Sequence, residues 1–160
     1  VYYEIAERDL ETGLREILDQ QVQEGQALIF CRTQVNVDRL VRGLSAHEYL
    51  VYGLHGGKPQ RERDAVMKSF REGSLKILVS TNLAARGIDI PSITHVINYN
   101  IPDNVEEYVH RIGRAGRMGR AGTAITFVRE WDFEMLDSIM EKVGDKLTRG
   151  KLAVSPGPSA

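Results

Sequence analysis

Residues 110–120 read HRIGRAGRMGR and combine regularly spaced arginines with glycines. The arginines Arg111, Arg114, Arg117 and Arg120 fall three residues apart, and the stretch contains no acid. A guanidinium group presents a planar fork of N–H donors that fits phosphate oxygens better than the ammonium group of lysine. The pattern therefore predicts a phosphate-binding site, with a solvated basic loop and an RNA-binding Arg–Gly tract as alternatives.

A second segment, HGGKPQRER (55–63), opens a predicted helix with Gln60 and Arg63 on adjacent turns of one face. Arginines in a first turn oppose the positive end of the helix dipole, and an anion docked there would remove this penalty. The alternative is that Arg63 pairs with its acidic neighbours on the solvent face. A third segment, TNLAARGID, places Asp89 eight residues after Thr81, where a turn residue is the alternative to a binding residue.

Other sites are disfavoured by the same segments. HGGKP is not a phosphate loop, because Tyr52 stands where a glycine is needed and Pro59 replaces the Ser/Thr. There is no acidic cluster after a strand that would hold magnesium. The histidines His47, His55, His95 and His110 show no metal spacing with one another or with Cys31. We predict no metal site in this chain.

The composition is that of an ordinary folded domain. The chain has 160 residues, of which 42% are apolar and 27% charged, enough for one domain with a substantial core. Its formal net charge is −1, so anion binding must come from local patches. We place the domain at 1–152 and a disordered tail or cloning remnant at 153–160. Because the chain starts without methionine, we expect a fragment of a longer protein.

The single cysteine, Cys31, excludes an internal disulfide and fits a reducing compartment, so we expect a cytoplasmic protein, with the nucleus as the alternative. It lies in the apolar run ALIFC, which favours a buried strand residue over a reactive thiol. No apolar stretch approaches the roughly 20 residues that span a bilayer, and we expect no membrane partner.

Short apolar runs alternate with helical periodicity along the chain. Strands are predicted at 1–5, 27–30, 49–54, 76–80, 95–99 and 123–128, and helices at 10–23, 35–45, 60–72, 104–112 and 132–143. This alternation predicts an α/β fold with a mainly parallel sheet flanked by helices. Ligands in such folds bind beyond the carboxyl ends of the strands, where the segments above begin.

The helix at 104–112 positions the basic stretch. Asp103 is its predicted N-cap, and Glu106 completes a capping-box signature. Helical spacing predicts four core-facing residues, Val105, Tyr108, Val109 and Ile112. His110 and Arg111 end the helix, and Gly113 releases the chain. Gly73 is the predicted stop of the helix at 60–72.

Taken in order, ALIFCRT, HGGKPQRER, VSTNLAARGID and YVHRIGRAGR resemble the motifs of the C-terminal RecA-like domain of DEAD-box ATP-dependent RNA helicases. The resemblance runs from the first strand to about Leu152. It implies a RecA-like fold and an enzyme that unwinds RNA by closing two domains around ATP with Mg²⁺. The N-terminal RecA-like domain, outside this chain, would bind most of the nucleotide, and this fragment alone would be inactive.

The resemblance also implies roles for individual residues. His110, Arg114 and Arg117 would act in catalysis, with Arg117 as the arginine finger. Asp89 would hydrogen-bond the ATP ribose, while Arg114 and Arg117 would reach its phosphates. Arg86 and Arg111 would support the closed interface between domains. The RNA sugar–phosphate backbone would be held by Thr33, Gly56, Gln60, Arg63 and Thr81.

Two further functional hypotheses stay open on the sequence. One is a DNA-directed helicase of the same superfamily, although related groups tend to carry glutamine where His110 stands. The other is an RNA-binding or protein-docking module that does not use ATP, although Asp89, Arg114 and Arg117 are all present. One departure from the family pattern is Asn82, where many members have aspartate. We expect little effect, because both side chains form hydrogen bonds.

Overall fold

The computed structural model describes residues 1–85, 92–112 and 122–154. Its strands are β1 (Tyr2–Glu4), β2 (Gln26–Cys31), β3 (Val51–Leu54), β4 (Ile77–Thr81), β5 (Ile93–Asn98) and β6 (Thr123–Val128). Its α-helices are α1 (Leu10–Gln21), α2 (Gln34–Ala46), α3 (Gln60–Arg71), α4 (Val105–Ile112) and α5 (Phe133–Val143). Short 3-10 turns cover Glu7–Asp9 and Gly144–Lys146.

The six strands form one sheet in the order β1-β6-β5-β2-β4-β3, and every pairing is parallel. Ala27 of β2 pairs with Ile77 of β4 on one side and with His95 of β5 on the other. Because all strands run the same way, their carboxyl ends meet at one edge of the sheet. The prediction of an α/β fold with a parallel sheet is confirmed.

Helices cover both faces of the sheet. Alternate residues of β2 point to opposite faces, so Ile29 packs in a core beneath α1 and α2 while Phe30 packs in a core beneath α3. A third cluster joins α4 and α5 to the β6 end, around Tyr108 and Val128. Burial of each large apolar side chain stabilises the fold by about 1.5–3 kcal/mol. β2 is apolar at nearly every position because helices cover both faces of the sheet there.

The helix ends agree with the prediction at α3 and differ by one residue at α4. Gly73 follows α3 with φ +82, the left-handed conformation that glycine adopts at a helix stop. At α4, Asn104 rather than Asp103 is the cap, because its Oδ1 accepts from the backbone N of Glu107 at 2.8 Å. Glu107 rather than Glu106 reaches back, 3.3 Å from the backbone N of Asp103. The predicted capping box was therefore misplaced by one residue.

The predicted inner face of α4 is partly wrong. Tyr108 is buried and Val105 packs against the third core cluster, but Val109 is 40% exposed. The side chain of Ile112 lies outside the described part of the chain. The helix therefore rests on the sheet through Tyr108 and Arg111, which leaves Val109 toward solvent.

Within the described ranges, no helix combines the length and apolar composition that crossing a bilayer requires. The domain boundary at 152 stays a prediction. Leu152 is buried in the core beneath α1, and the backbone N of Ala153 donates to the carboxylate of Glu16 at 3.0 Å.

Candidate functional site

Three of the five residues predicted to bind RNA follow neighbouring strands. Thr33 comes after β2, Gly56 comes after β3, and Thr81 ends β4, which lies between β2 and β3 in the sheet. Neighbouring strands lie about 4.8 Å apart, so these residues share one stretch of the carboxyl edge about 10 Å long. Their backbone and hydroxyl groups are of the kind that bind sugar–phosphate backbones.

Thr33 is exposed and caps α2, since its Oγ1 accepts from the backbone N of Asn36 at 3.1 Å. The Oγ1 of Thr81 lies 3.4 Å from the backbone N of Ala84 in the turn after β4. Both hydroxyls therefore stabilise local turns, and each keeps a hydrogen that can be donated to a ligand oxygen.

The turn after β3 is shaped by His55, which is buried. Its Nε2 lies 2.9 Å from Oδ1 of Asp38, and its Nδ1 accepts from the backbone N of Gly57 at 3.0 Å. A donor at Nε2 and an acceptor at Nδ1 define one neutral tautomer. A Cβ at position 57 would lie 2.8 Å from Gln34 Oε1 and 3.0 Å from His55 Cε1, so a larger residue there would force these side chains to shift. The histidine thus fixes the glycine turn that carries Gly56.

Gln60 and Arg63 form a chain of hydrogen bonds at the start of α3. Arg63 Nη1 donates to Gln60 Oε1 at 3.2 Å, and Gln60 Nε2 donates to Asp64 Oδ1 at 2.7 Å. Within the described part of the chain, Glu62 pairs with Lys58 at 3.7 Å and Arg63 makes no ion pair. The Nε of Arg63 is buried without a partner. The predicted alternative, an ion pair of Arg63 with Glu62 or Asp64, is therefore not seen among the described residues, and Asp64 is connected to Arg63 only through Gln60.

Arg111 is the buried cation of the site, with 3% of its surface exposed. Its Nε donates to Asn82 Oδ1 at 3.2 Å, in the turn directly after Thr81. Its Nη1 donates to Asn98 Oδ1 at 3.0 Å and to the backbone O of Asn100 at 3.1 Å. The guanidinium also lies over the ring of Phe30, 4.8 Å from its centroid. One side chain of α4 therefore joins the ends of β2, β4 and β5.

The electrostatics of Arg111 follow from these neutral partners. Burial lowers the pKa of Arg111 to about 10, opposed by the charge of Glu107, whose Oε2 lies 3.9 Å from Nη2. The residue therefore keeps its positive charge at neutral pH, held mainly by amide and carbonyl oxygens. Burial also raises the pKa of the nearby Cys31 thiol to about 12, with a smaller opposing effect of Arg111. Cys31 is a buried strand residue, as predicted.

An open pocket of about 210 Å³ lies beside this cation. Its lining residues come from the β2 end, the turn after β4 and one face of α4: Phe30, Asn82, Ala85, Asn104, Glu106, Glu107, His110 and Arg111. His110, one residue before Arg111, is exposed and lines this opening. The structure therefore brings two of the predicted residues, His110 and Arg111, to one cleft at the carboxyl edge.

The other predicted residues, Arg86, Asp89, Arg114 and Arg117, lie outside the described residues. Their roles stay predictions. In the ranges 1–85, 92–112 and 122–154, no group of three or more His, Cys, Asp and Glu residues could hold a metal ion.

Two residues of the site were missed by sequence reasoning. Asn98 and Asn100 carry much of the binding of Arg111, and both are buried. Asn98 lies inside the strand predicted at 95–99 and Asn100 follows it directly, and neither is among the predicted site residues. Asparagines at the end of an apolar strand were the signal that could have identified them, since such ends carry ligands in parallel sheets.

The all-parallel sheet with helices on both faces matches the RecA-like α/β fold of DEAD-box C-terminal domains. The family model described as "Helicase conserved C-terminal domain" matches residues 10–119. The chain belongs to this family, as the C-terminal RecA-like domain of a DEAD-box RNA helicase. The predicted resemblance is thereby confirmed, and it favours the RNA-directed group over DNA-directed relatives.

Known proteins support this assignment at the level of sequence and structure. The chain is 51% identical over 114 residues to the ATP-dependent RNA helicase eIF4A of Scheffersomyces stipitis, covering 71% of this chain and 29% of that protein. The E. coli DEAD-box protein SrmB, solved with the regulator of ribonuclease activity A, has TM-score 0.86 and 32% identity, covering 97% and 92% of the two chains. S. cerevisiae Dbp5 bound to RNA and ADP BeF3 has TM-score 0.85 and 36% identity, covering 94% and 40%. The chain thus spans under a third of the eIF4A relative.

Proposed function

We propose that this chain is the C-terminal half of an ATP-dependent RNA helicase, which unwinds duplexes when it closes on an N-terminal ATP-binding domain. Its part is to hold the RNA sugar–phosphate backbone and to supply arginines to the nucleotide phosphates. The eIF4A relative is an ATP-dependent RNA helicase, and the Dbp5 structure holds RNA and ADP BeF3, which supports the proposal. We expect it to act in the cytoplasm.

The observation that carries the proposal is the bond between Arg111 and Asn82. It fixes α4, which leads into the basic stretch, to the turn after Thr81, a proposed RNA contact. Phosphoryl transfer depends on positioning and on charge stabilisation more than on covalent chemistry by the protein. A rigid connection between the RNA-binding edge and the arginine-bearing helix is therefore what an RNA-dependent ATPase needs.

The proposed RNA contacts are Thr33, Gly56, Gln60, Arg63 and Thr81. The first three offer hydroxyl, backbone and amide groups, and Arg63 adds a cation without an ion pair in the described part of the chain. On the nucleotide side, Arg117 is the proposed arginine finger, with Arg114 beside it on the phosphates and Asp89 on the ribose. His110 is proposed to act in catalysis with these arginines, and Arg86 and Arg111 are proposed to support the closed interface.

ATP would be bound mainly by the N-terminal domain, together with Mg²⁺, which neutralises charge on the phosphates. This division is supported by the charged guanidinium of Arg111, which lines an open cleft at the carboxyl edge of the sheet. The arginines of this chain would then bind the exposed side of the triphosphate after closure.

The test is ATP hydrolysis by the full-length protein with and without single-stranded RNA, beside the isolated domain 1–152. We expect RNA to raise turnover at least about tenfold in the full-length protein, and the isolated domain to show no hydrolysis above background. Turnover that is insensitive to RNA would contradict the proposal. RNA binding by the full-length protein without any hydrolysis would instead favour the module that does not use ATP.

A further inference from the structure

Asn100 is a buried polar residue that contacts both the turn at Thr33 and the guanidinium of Arg111. It lies two residues beyond the end of β5, with 4% of its surface exposed. Its backbone N lies 3.4 Å from the backbone O of Phe30, next to the 3.0 Å bond that Tyr99 donates to the same oxygen. The segment after β5 is thereby attached to the end of β2.

The side chain of Asn100 holds the turn that leads into α2. Its Oδ1 accepts from the backbone N of Arg32 at 2.8 Å and lies 3.4 Å from Nδ2 of Asn36. Thr33, the proposed RNA contact, lies between these two residues and caps the same helix through Asn36. Removing Oδ1 would leave the backbone N–H of Arg32 without an acceptor, which is costly for a partly buried donor.

The backbone of the same residue holds Arg111, the proposed interface residue. The carbonyl O of Asn100 accepts from Nη1 of Arg111 at 3.1 Å. Asn98 accepts from the same Nη1 and donates from its amide group to Oγ1 of Thr126, and among the described residues no hydrogen bond joins it to the turn at Thr33. Of the two asparagines, Asn100 is thus the one that contacts both the turn at Thr33 and Arg111.

We propose that Asn100 is a positioning residue that keeps the RNA-facing turn at Thr33 and the guanidinium of Arg111 in one rigid frame. This inference rests on the proposed function of RNA-dependent ATP hydrolysis. It gives the segment after β5 a role in both RNA affinity and ATP turnover. The side-chain oxygen of Asn100 acts on the turn at Thr33, and its backbone oxygen acts on Arg111.

The substitution Asn100→Ala removes the side-chain acceptor, and Asn100→Asp keeps an oxygen of the same reach. In the full-length protein, we expect Asn100→Ala to raise the Kd for single-stranded RNA by about three- to tenfold, the effect of one net hydrogen bond. The RNA-saturated kcat should fall as well, because the carbonyl that holds Arg111 shifts with the released turn. Asn100→Asp should retain both affinity and turnover.

Double-mutant cycles separate this role from a general loss of stability. Asn100→Ala should be non-additive with Thr33→Val in RNA binding, because both act on one turn, and additive with Arg63→Ala, which lies on α3. Asn98→Ala is the matched control, since it removes an acceptor of Arg111 and leaves the turn intact. It should lower kcat and keep the RNA Kd within about twofold. If the alanine variant does not fold, Asn100→Ser replaces it, and the same loss of RNA affinity and kcat is expected.

The outcomes distinguish the inference from the proposed function. If the unmodified protein binds RNA and hydrolyses ATP in response, but Asn100→Ala or Asn100→Ser behaves like it, the inference is wrong and the proposed function stands. Full recovery of kcat at saturating RNA, or full additivity with Thr33→Val, would also overturn it. If the unmodified protein shows no RNA-dependent hydrolysis, the proposed function fails and the inference fails with it.

Discussion

The Nε of Arg111 lies 3.2 Å from Oδ1 of Asn82, so a buried guanidinium of α4 is bound by an amide in the turn after β4. Asn98 and Asn100 supply further neutral oxygens to the same group. The carboxylate of Glu107 is 3.9 Å away. The guanidinium is thus held mainly by neutral oxygens, with one carboxylate at a longer distance. Positive charge therefore remains at this edge of the domain.

The first prediction concerns Asn82. Asn82→Ala should lower the free energy of unfolding by about 1–3 kcal/mol, because it leaves a buried donor of Arg111 without its acceptor. Asn82→Asp should match or exceed the parent at pH 7, since a carboxylate forms a stronger bond with a guanidinium. Urea unfolding of the isolated domain measures both. Equal stability of the alanine variant and the parent would show that this bond contributes nothing.

The second prediction concerns RNA. In the full-length protein, Gln60→Ala, Arg63→Ala and Thr81→Ala should weaken binding to the same extent for RNAs of different sequence, because contacts to the backbone carry little sequence information. Arg63→Ala should also lower the slope of log Kd against log salt by about one at most.

The control for Arg63 is Arg61→Ala, one of the exposed neighbours in the same first turn of α3. It removes the same charge from a residue with no proposed contact, so RNA affinity should change much less. Binding is measured by fluorescence anisotropy with two RNAs of different base composition. A loss confined to one composition, or an equal effect of the two arginine substitutions, would refute the backbone assignment.

A third prediction tests the start of α4. Asn104→Ala should destabilise the domain by about 0.5–2 kcal/mol, since it removes the side-chain cap. Asp103→Ala removes an exposed ion pair with Arg32 and should cost less, about 0–1 kcal/mol. Thermal melting of the two variants compares them directly. A larger loss of stability for Asp103→Ala than for Asn104→Ala would show that Asp103, the residue predicted from the sequence, is the cap.

The fourth prediction concerns Cys31. Burial raises the pKa of its thiol to about 12, so the reactive thiolate is scarce in the folded domain. Native protein should react with a thiol reagent far more slowly than unfolded protein at neutral pH. The difference should persist at pH 9, which equals the ordinary pKa of a cysteine thiol. The neutral thiol also contributes stability that is lost as the pH rises from about 9 toward 12. Rapid labelling of the native protein at pH 8 would contradict the buried position.

The elements were predictable from sequence because their signals are local. Each apolar run became a strand and each periodic segment a helix, with ends that differ by one or two residues in most cases. The cap of α4 was misplaced because Asp103 and Asn104 are both capable caps and only backbone geometry selects between them. Val109 fits the apolar spacing but is exposed, since Arg111 occupies the buried position beside Tyr108.

The chemistry of the site was predictable in part. The residues at strand ends could be identified, because parallel strands bring their carboxyl ends together. The contacts of Arg111 with Asn82, Asn98 and Asn100 could not be predicted, since the ends of different strands come together around Arg111 only in the tertiary fold. The same holds for Asp38, whose contact with His55 crosses from α2 to the turn after β3.

The most direct test of the central claim is the steady-state ATPase of the full-length protein with saturating RNA, comparing Arg117→Lys with Arg120→Lys. Lysine keeps the charge but loses the planar fork that binds two phosphate oxygens. Arginine fingers contribute on the order of 10³ to 10⁵ in rate, so we expect Arg117→Lys to lower kcat at least about tenfold while ATP affinity and melting temperature stay nearly unchanged. Arg120→Lys, one step along the same repeat, should turn over ATP like the parent. If both variants keep the parental kcat, Arg117 is not a catalytic arginine and the proposed mechanism is wrong.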